Sequence, residues 1–408
     1  MKIKKILTML LLIILINTQI VSFAHYEDPD EWDYTCVEEA IDEAENTSSE
    51  PQILSKYAVV YDRASGEVIW GKNENTPVPM ASTTKIMTAI VMLEQIGLDR
   101  LTEEVIVDKE AAQTVGSRLG LNKGDKITYN DLLYGLMLCS GNDAAVQIAI
   151  STAGNVENFA ILMNNKAKEL GLKNTNFITP HGLDREAHYT TALELAIIAD
   201  YALDNPKIAE VVATKQYTVK INENLKSISN TNELLGYLNG VTGVKTGYTS
   251  KAGRCLVTSA IRNGFEIITV VLGADTKKIR SQDSIKLIEY TYKNYELINL
   301  EELVQTEYQN WCKINERRIT VYKGNKKRPE ICIDEGKYKL YPIKKDEIIE
   351  IDSEAKLKFE APLFENTEVG RLIIKKKDKV IDEIQIKSSE TIDKKNILVY
   401  FVEIMQLL

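Results

Sequence analysis

The sequence predicts an α/β fold, in which a β-sheet is flanked by a helical subdomain, followed by a small all-β domain. Three observations lead to this prediction. A pair of strands precedes a long block of apolar helical segments, and further strands follow that block. After about residue 298 the pattern changes to short alternating strands separated by charged turns. The chain of 408 residues is long enough to bury a core in each part.

The first domain is predicted to span residues 53–298. Residues 57–61 alternate as a strand, turn at Ser65 and Gly66, and return through residues 68–70 as a hairpin. Apolar helical segments occupy about residues 86–202. The later predicted elements are a strand around Val244, a strand over residues 267–272 and a helix over residues 281–295.

The small β domain is predicted over residues 299–388, from alternating segments such as residues 355–361. Residues 389–408 follow it. As a helix, the segment from residue 392 onward has one polar and one apolar side, but it is too short to cross a membrane. We expect an amphipathic C-terminal anchor that lies on a membrane surface. A terminal helix that packs on the protein is the alternative.

The N-terminus has the pattern of a signal peptide over residues 1–24. Lys2, Lys4 and Lys5 precede an apolar run over residues 6–16, and a Ser-Phe-Ala sequence at residues 22–24 offers a cleavage site. A membrane-spanning helix would need about 20 apolar residues, and polar residues interrupt this run after eleven. The protein is therefore expected to be exported.

Residues 25–52 are predicted to form a flexible acidic leader, because residues 25–50 contain eleven carboxylates and no lysine or arginine. The formal net charge is −9, and removal of the three lysines of the signal peptide changes it to −12. Such an acidic protein is not expected to bind nucleic acid.

The five cysteines form an odd and scattered set, so no disulfide framework is predicted. Cys312 and Cys332 could pair, or could be independent buried thiols. No group of histidines and cysteines has the spacing of a metal site. The sequence therefore predicts neither a metal nor another cofactor.

The residues that could carry chemistry occur in three short segments. The first holds Ser82 and Lys85 at the start of an apolar helix, just after Pro77-Val78-Pro79. Residues three apart share a helical face, so Lys85 can reach the Ser82 hydroxyl as its base. An ordinary lysine pKa of about 10.4 leaves about one amine in a few thousand neutral at pH 7, so burial and a nearby cation must lower it. On its own, the segment also fits a helix cap followed by a solvated lysine.

The second segment, Ser140-Gly141-Asn142, is a polar triplet between two apolar stretches. It also fits a corner at which Ser140 or Asn142 caps the next helix. The third segment, Lys245-Thr246-Gly247, lies in a stretch typical of a strand, whose glycines let a ligand approach the backbone. An edge strand with a solvated lysine is the alternative. Lys245 is the candidate for the cation that lowers the pKa of Lys85.

The three segments occur in one order, separated by 55 residues from Lys85 to Ser140 and by 105 residues from Ser140 to Lys245, which chance matches rarely achieve. They resemble the sites of the penicillin-binding protein and serine β-lactamase superfamily, which contain Ser-x-x-Lys, Ser-x-Asn and Lys-Thr-Gly. Over about residues 54–295 the chain resembles the low-molecular-mass D-alanyl-D-alanine carboxypeptidases in particular. The matching segments are residues 172–177, 180–184 and 245–253.

This resemblance implies a penicillin-binding protein/β-lactamase-like sheet and a serine carboxypeptidase on the outer face of the bacterial cytoplasmic membrane or in the cell wall. Such an enzyme removes the terminal D-alanine from peptidoglycan stem pentapeptides and is acylated by β-lactams. Ser82 would attack the carbonyl, Lys85 would accept its proton, and Ser140 would pass a proton to the leaving amine. The implied substrate-binding residues are Asn142, Lys245, Thr246, Gly247, Tyr248 and Arg280.

Within this set, the backbone N–H groups of Ser82 and Tyr248 would form the oxyanion hole, and Lys245 would hold the terminal carboxylate. Arg280 occupies a position at which relatives carry a carboxylate-binding arginine. A solvated basic turn is the alternative for Arg280.

Two other functions remain open, and two further enzyme classes lack their required motifs here. A D,D-endopeptidase that cleaves cross-links would use the same residues, whereas a non-catalytic wall-binding protein would need none of them. A class A β-lactamase needs Glu-x-x-Leu-Asn, and the nearest match, at residues 169–174, is out of register by one residue. An α/β-hydrolase needs Gly-x-Ser-x-Gly, which is absent, and a histidine partner. His181 lies in a loop signature of the carboxypeptidases, and His188 is expected to be an ordinary surface residue.

Overall fold

The computed structural model describes residues 35–46, 50–397 and 405. Two domains follow each other along the chain, and the first carries the three segments. The elements of the first domain are α1 Thr35–Asn46, β1 Tyr57–Asp62, β2 Val68–Lys72, a 3-10 turn Ala81–Thr84, α2 Lys85–Ile96, β3 Glu104–Ile106, α3 Lys109–Ala112, β4 Lys126–Thr128, α4 Tyr129–Met137, α5 Asn142–Ala153, α6 Val156–Glu169, α7 Ala192–Leu203, α8 Pro206–Ala213, β5 Gln216–Ile221, β6 Asn224–Ser229, β7 Val241–Thr249, β8 Gly253–Arg262, β9 Phe265–Ala274 and α9 Lys277–Asn294.

The main sheet has the strand order β2-β1-β9-β8-β7, and every neighbouring pair is antiparallel. Successive side chains of a strand point to opposite faces of the sheet, so the residues of β1 contribute to two different hydrophobic cores. Val59 and Tyr61 join the core shared with the helical subdomain, whereas Ala58 and Val60 join the core on the opposite face. The predicted hairpin is confirmed as β1 and β2. Strand β7 is an edge strand, and it contacts the turn Ala81–Thr84.

Helix α2 lies in the middle of the helical subdomain, in contact with α4, α5, α6 and α7. Ten of its twelve residues are buried, because its apolar residues are not restricted to one stripe and a helix that is apolar all round is stable only in a core. The helix starts soon after Pro79, as the sequence predicts. The segment that carries Ser82 and Lys85 therefore begins inside the protein.

The prediction of a flexible leader is wrong for residues 35–46, which form α1 and pack against α9. Val37, Ala40 and Ala44 are buried on one face of this helix. Glu38, Glu39, Asp42 and Glu43 are exposed, and Glu43 pairs with Lys286 at 2.8 Å. The predicted signal peptide lies outside the described residues.

The second domain is not all-β, because residues 300–315 form a helix that the sequence analysis did not predict. Its elements are β10 Tyr295–Asn299, α10 Leu300–Asn315, β11 Thr320–Tyr322, β12 Ile331–Ile333, β13 Leu340–Lys344, β14 Ile349–Ala355, β15 Lys358–Glu360, β16 Glu368–Lys376 and β17 Lys379–Ser388. Four strands form a sheet in the order β12-β17-β16-β14. Helix α10 adds Leu300, Val304 and Trp311 to the core of this domain, and the Trp311 indole N–H donates to the Glu354 carbonyl oxygen at 3.0 Å.

The second domain also extends beyond its predicted end at residue 388. Ile392 is 1% exposed within its core, and the backbones of Ile392 and Leu363 exchange hydrogen bonds of 2.7 and 2.9 Å. The rest of the predicted anchor, from residue 398 onward, lies outside the described residues apart from residue 405. Within residues 35–46 and 50–397, no helix combines the length and the hydrophobicity that crossing a bilayer requires. Cys312 and Cys332 are free thiols, so they do not pair.

Candidate active site

The proposed nucleophile and its base meet where the 3-10 turn leads into α2. Lys85 Nζ lies 2.8 Å from Ser82 Oγ. It also donates to Asn142 Oδ1 at 2.7 Å and to the His181 carbonyl oxygen at 2.9 Å. A neutral amine has two N–H groups and one lone pair. Because Asn142 and His181 take both N–H groups, the lone pair is directed at the Ser82 hydroxyl.

The surroundings of Lys85 favour its neutral form. Burial lowers the pKa of Lys85 well below its ordinary value, and the charge of Lys245 lowers it further. Burial likewise lowers the pKa of Lys245 to about 7, and the charge of Arg280 acts in the same direction. Since this pKa is close to neutrality, Lys245 is only partly charged at pH 7. The predicted cation thus lies near the base, and its influence on Lys85 depends on pH.

The corner between α4 and α5 carries Ser140 and Asn142. Ser140 has a φ of 60°, a left-handed conformation that costs a residue with a Cβ about 1 kcal/mol or more. Its hydroxyl is buried and has no hydrogen-bond partner among the residues that the structure describes. Neither Ser140 nor Asn142 caps α5, because the N-cap is Gly141. The amide of Asn142 instead links Lys85 to the Val115 carbonyl oxygen, to which it donates at 2.7 Å.

Edge strand β7 brings Lys245, Thr246 and Gly247 past the Ser82 turn. Lys245 is 1% exposed, so the alternative of a solvated lysine is wrong, and its Nζ lies 3.0 Å from the Thr246 carbonyl oxygen. The Thr246 hydroxyl lies 2.7 Å from that of Thr231. A Cβ at Gly247 would lie 3.0 Å from the Ser82 backbone nitrogen. The absence of a side chain at Gly247 therefore lets β7 approach the nucleophile.

The end of β7 is tied to the loop over residues 180–184. Tyr248 is half exposed, and the Arg254 guanidinium lies over its ring, 4.0 Å from the centroid. The next residue, Thr249, donates from its hydroxyl to Asp184 Oδ1 at 2.7 Å. Two of the segments that resemble the carboxypeptidases are thus joined beside the site.

Arg280 lies in α9 and is buried, so the alternative of a solvated turn is wrong. Its guanidinium forms an ion pair with Glu233, whose carboxylate also accepts from Ser281 Oγ at 2.6 Å. The Arg280 charge lowers the pKa of the Lys245 amine. The predicted carboxylate-binding arginine is present, but a carboxylate of the chain already engages it.

The prediction that His188 is a surface residue is wrong. His188 is 4% exposed, and its Nδ1 accepts from the Ile178 backbone N–H at 2.9 Å. Its Nε2 therefore carries the proton, which it donates to Thr84 Oγ1 at 2.9 Å, while Thr84 donates to the Ala81 carbonyl oxygen at 2.8 Å. Burial lowers the pKa of His188 to about 4, so the ring is neutral at pH 7. His188 thus holds the turn that carries Ser82.

The loop around His181 packs directly on the same turn. Its carbonyl oxygen is one of the two acceptors that orient Lys85. Gly182 has a φ of 85°, and a Cβ there would lie 1.8 Å from the Ala81 carbonyl oxygen. Sequence reasoning identified this loop by its family signature but did not predict its contact with the base.

Sequence reasoning also missed Asp143, which stabilises a loop next to the site. Its buried carboxylate accepts the backbone N–H groups of Leu119, Gly120 and Leu121 at 2.8 to 2.9 Å. It thereby holds the segment whose Val115 carbonyl orients Asn142. An acidic residue within an apolar stretch was the available signal, because a buried carboxylate needs hydrogen-bond donors.

The assembled groups suit acyl transfer. They comprise a hydroxyl nucleophile with an amine directed at it, an unpartnered buried hydroxyl, and a buried lysine on an adjacent strand. Residues 44–276, more than half of the chain, match a family model described as D-alanyl-D-alanine carboxypeptidase. The chain belongs to the D-alanyl-D-alanine carboxypeptidase family. Residues 313–394 match the model described as penicillin-binding protein 5, C-terminal domain.

Relatives of known name support this assignment. The chain is 34% identical over 356 residues to D-alanyl-D-alanine carboxypeptidase DacF of Bacillus subtilis, covering 86% of this chain and 89% of the relative. It is 37% identical over 266 residues to DacC of Escherichia coli, covering 62% and 65% of the two chains. The predicted family and the serine-type carboxypeptidase activity are confirmed.

Solved structures agree with the fold. Penicillin binding protein 5 from Haemophilus influenzae superimposes with a TM-score of 0.69 at 28% identity, covering 85% of this chain and 100% of that chain. The Streptomyces K15 DD-transpeptidase superimposes with a TM-score of 0.57 at 37% identity, covering 59% and 98%. The predicted fold class is thus confirmed at the level of a penicillin-binding domain followed by a C-terminal β domain, with α10 as the departure from an all-β domain.

Proposed function

We propose that this carboxypeptidase removes the C-terminal D-alanine from peptidoglycan stem pentapeptides through an acyl-enzyme on Ser82. The observation that carries the proposal is the 2.8 Å approach of Lys85 Nζ to Ser82 Oγ, with both N–H groups of the amine directed elsewhere. In its neutral form, which its lowered pKa favours, a lysine held in this way has its lone pair free to accept the serine proton. Opening of a β-lactam ring by Ser82 uses the same geometry.

In the first half of the reaction, Ser82 Oγ bonds to the carbonyl carbon of the penultimate D-alanine while its proton passes to Lys85. The lowered pKa of Lys85 makes it a base at neutral pH. The C–N bond then breaks as the departing nitrogen takes a proton from Ser140 Oγ, and the proton held by Lys85 passes to Ser140, which leaves Lys85 neutral again. Ser140 suits this relay because no other described residue forms a hydrogen bond with its buried hydroxyl. Water then cleaves the ester, which releases the shortened peptide and regenerates Ser82.

The substrate would lie along β7. The backbone N–H groups of Ser82 and Tyr248 would stabilise the developing oxyanion, and loss of one such donor typically costs about 3 kcal/mol of barrier. Lys245 and Thr246 would hold the terminal carboxylate, next to the close approach at Gly247. Asn142 already uses its amide oxygen on Lys85 and its amide N–H on a backbone carbonyl. Its second amide N–H and the second lone pair of its oxygen remain for the predicted contact with substrate.

Mass spectrometry of the purified protein tests the proposal. Incubation with a synthetic pentapeptide should release one D-alanine, and incubation with a penicillin should give a covalent adduct. Ser82→Ala should lose both, whereas Ser151→Ala, a serine of α5 that bonds only to helix carbonyls, should retain both. If folded Ser82→Ala still forms the adduct, or if the pentapeptide is unchanged by the native enzyme, the proposal is wrong. Cleavage of a cross-linked dimer in place of the pentapeptide would favour the endopeptidase alternative.

We also propose that the protein is exported through the segment 1–24 and attached to the outer surface of the cytoplasmic membrane by its C-terminal segment. Lys395 still donates its backbone N–H to the Lys323 carbonyl oxygen at 2.8 Å, so we place the separable anchor after this residue. Its support is the apolar side that a helix over the last residues would present.

A chain that ends after Asn396 tests the anchor while keeping buried Ile392. It should lose binding to liposomes and keep the native rate of penicillin acylation. A chain that ends after Ser388 is the contrasting variant, because it also lacks buried Ile392 and should lose stability. If the chain that ends after Asn396 still cosediments with liposomes, the anchor is ruled out. If that chain unfolds, the C-terminal segment is a packing helix.

A further inference from the structure

The ion pair between Arg280 and Glu233 is a feature that the proposed chemistry leaves unexplained. The side chains are 4% and 9% exposed. One oxygen of Glu233 accepts from Arg280 Nη2 and Ser281 Oγ, but its other oxygen and Arg280 Nε are buried and find no hydrogen-bond partner within the described part of the chain. A buried ion pair with unsatisfied atoms contributes little to stability, because desolvation offsets its attraction. The pair therefore calls for a reason other than stability.

Its position is beside the strand on which the substrate would lie. Thr231, two residues before Glu233, has its hydroxyl 2.7 Å from that of Thr246. Arg280 lies close enough to Lys245 for its charge to act on that amine. Burial opposes the ionisation of Glu233, but Arg280 and Ser281 outweigh burial and hold its pKa below the ordinary value. At neutral pH, an internal carboxylate thus neutralises the second cation of the site.

We propose that Glu233 is a specificity-determining residue that competes with the terminal carboxylate of the substrate for Arg280. This inference rests on the proposed carboxypeptidase function. With Glu233 in place, Lys245 is the main anchor for the substrate carboxylate. The enzyme then discriminates less strongly between a peptide that ends in a carboxylate and the same peptide ending in an amide.

The test compares kcat/KM for an N-acylated D-alanyl-D-alanine peptide and for its C-terminal amide. Glu233→Gln keeps the shape of the side chain and an acceptor for Ser281 but removes the competing charge. Its carboxylate-to-amide ratio should rise about tenfold over that of the native enzyme, mainly through a lower KM for the carboxylate. Glu289→Gln is the matched control, because it removes the acid of another partly buried arginine pair, with Arg262, and should leave the ratio unchanged.

Two results would overturn the proposal. An unchanged ratio in folded Glu233→Gln would show that Glu233 does not compete, and a lower ratio would show that it holds Arg280 ready for the substrate. The double variant Glu233→Gln/Arg280→Gln decides the matter even if the single variant unfolds, because it leaves no unpaired charge. Competition predicts a ratio within about twofold of the native one, since native Arg280 is already neutralised. If Glu233 instead positions Arg280 for the substrate, the carboxylate-to-amide ratio of the double variant should fall clearly below the native one.

Penicillin acylation separates this proposal from the proposed function. Penicillins carry a carboxylate, so Glu233→Gln should be acylated faster than the native enzyme and Glu289→Gln should not. If the native enzyme cleaves neither peptide, the carboxypeptidase proposal is wrong, and the acylation rates still decide whether Glu233 competes. Equal acylation rates in the native enzyme and Glu233→Gln would count against competition.

Discussion

Lys245 should give the enzyme a basic limb in its pH profile, but only for substrates that end in a carboxylate. Burial lowers the pKa of Lys245 to about 7. As the pH rises through this value, Lys245 loses its proton and no longer attracts the carboxylate. Lys85 acts in the opposite sense, because it must be neutral to accept the Ser82 proton, and its titration therefore produces the acidic limb.

The size of the effect follows from the charged fraction of Lys245. With a pKa of about 7, that fraction falls from about one half at pH 7 to about one hundredth at pH 9. Two unit charges 4 Å apart at an effective dielectric constant of about 20 attract by about 4 kcal/mol, or about three powers of ten in affinity. The uncharged form therefore contributes little, and kcat/KM for the carboxylate substrate should fall about fiftyfold between pH 7 and pH 9.

The assay measures kcat/KM from about pH 6 to about pH 9.5 for an N-acylated D-alanyl-D-alanine peptide and for its amide, since kcat/KM reports the free enzyme. The amide should show the acidic limb alone. In Lys245→Arg the basic limb should disappear from this range, because a guanidinium stays protonated. Profiles that coincide for the two native reactions would refute the assignment of Lys245 as the carboxylate anchor.

Three further outcomes are expected. Lys85→Arg should abolish penicillin acylation, because a guanidinium does not deprotonate to act as a base; a labelled band from the folded variant would contradict this role. Between pH 6.5 and about 4, His188 binds a proton in the unfolded chain but not in the folded protein. Acidification over this range should therefore lower the free energy of unfolding by up to about 3 kcal/mol. Urea titrations should show that His188→Ala lacks this contribution to the pH dependence of stability. Gly247→Ala should slow acylation about fivefold or more through a clash costing about 1 to 3 kcal/mol, with little change in circular dichroism; native kinetics would show that β7 can shift away from Ser82.

The parts of the site that could be predicted from the sequence are those set by neighbouring residues. A three-residue spacing after a proline-rich run indicates that Lys85 reaches Ser82, and β-branched residues around Lys245 indicate a strand. Both were predicted, and both are present. The burial of Lys245 could not be decided in this way, because an edge strand exposes or covers a side chain according to what packs on it.

The missed features depend on contacts between distant residues or on weak local patterns. His188 meets Thr84 across 104 residues, and Glu233 meets Arg280 across 47. Helix α10 has few buried apolar positions within a charged sequence, so little of its composition indicates a core element. Helix α1 buries mainly small side chains. Because the segment also contains many carboxylates, its composition alone indicates a solvated segment and not a packed helix. Only the packed structure identifies these residues as parts of a core or of a site.

The burial that makes the two lysines reactive also has a cost in stability. Lowering the pKa of Lys245 from 10.5 to about 7 means that, at pH 7, the unfolded chain binds a proton that the folded protein holds only half of the time. At about 1.4 kcal/mol for each unit of pKa, folding is then disfavoured by about 4 kcal/mol at pH 7, and this penalty fades as the pH rises toward 10.5. Lys245→Met, which keeps much of the side-chain volume, should therefore unfold at a higher denaturant concentration than the native enzyme at pH 7, with a smaller advantage at pH 9. A variant less stable than the native enzyme at both pH values would show that Lys245 is held by favourable contacts stronger than its desolvation, and the low pKa would then need another cause.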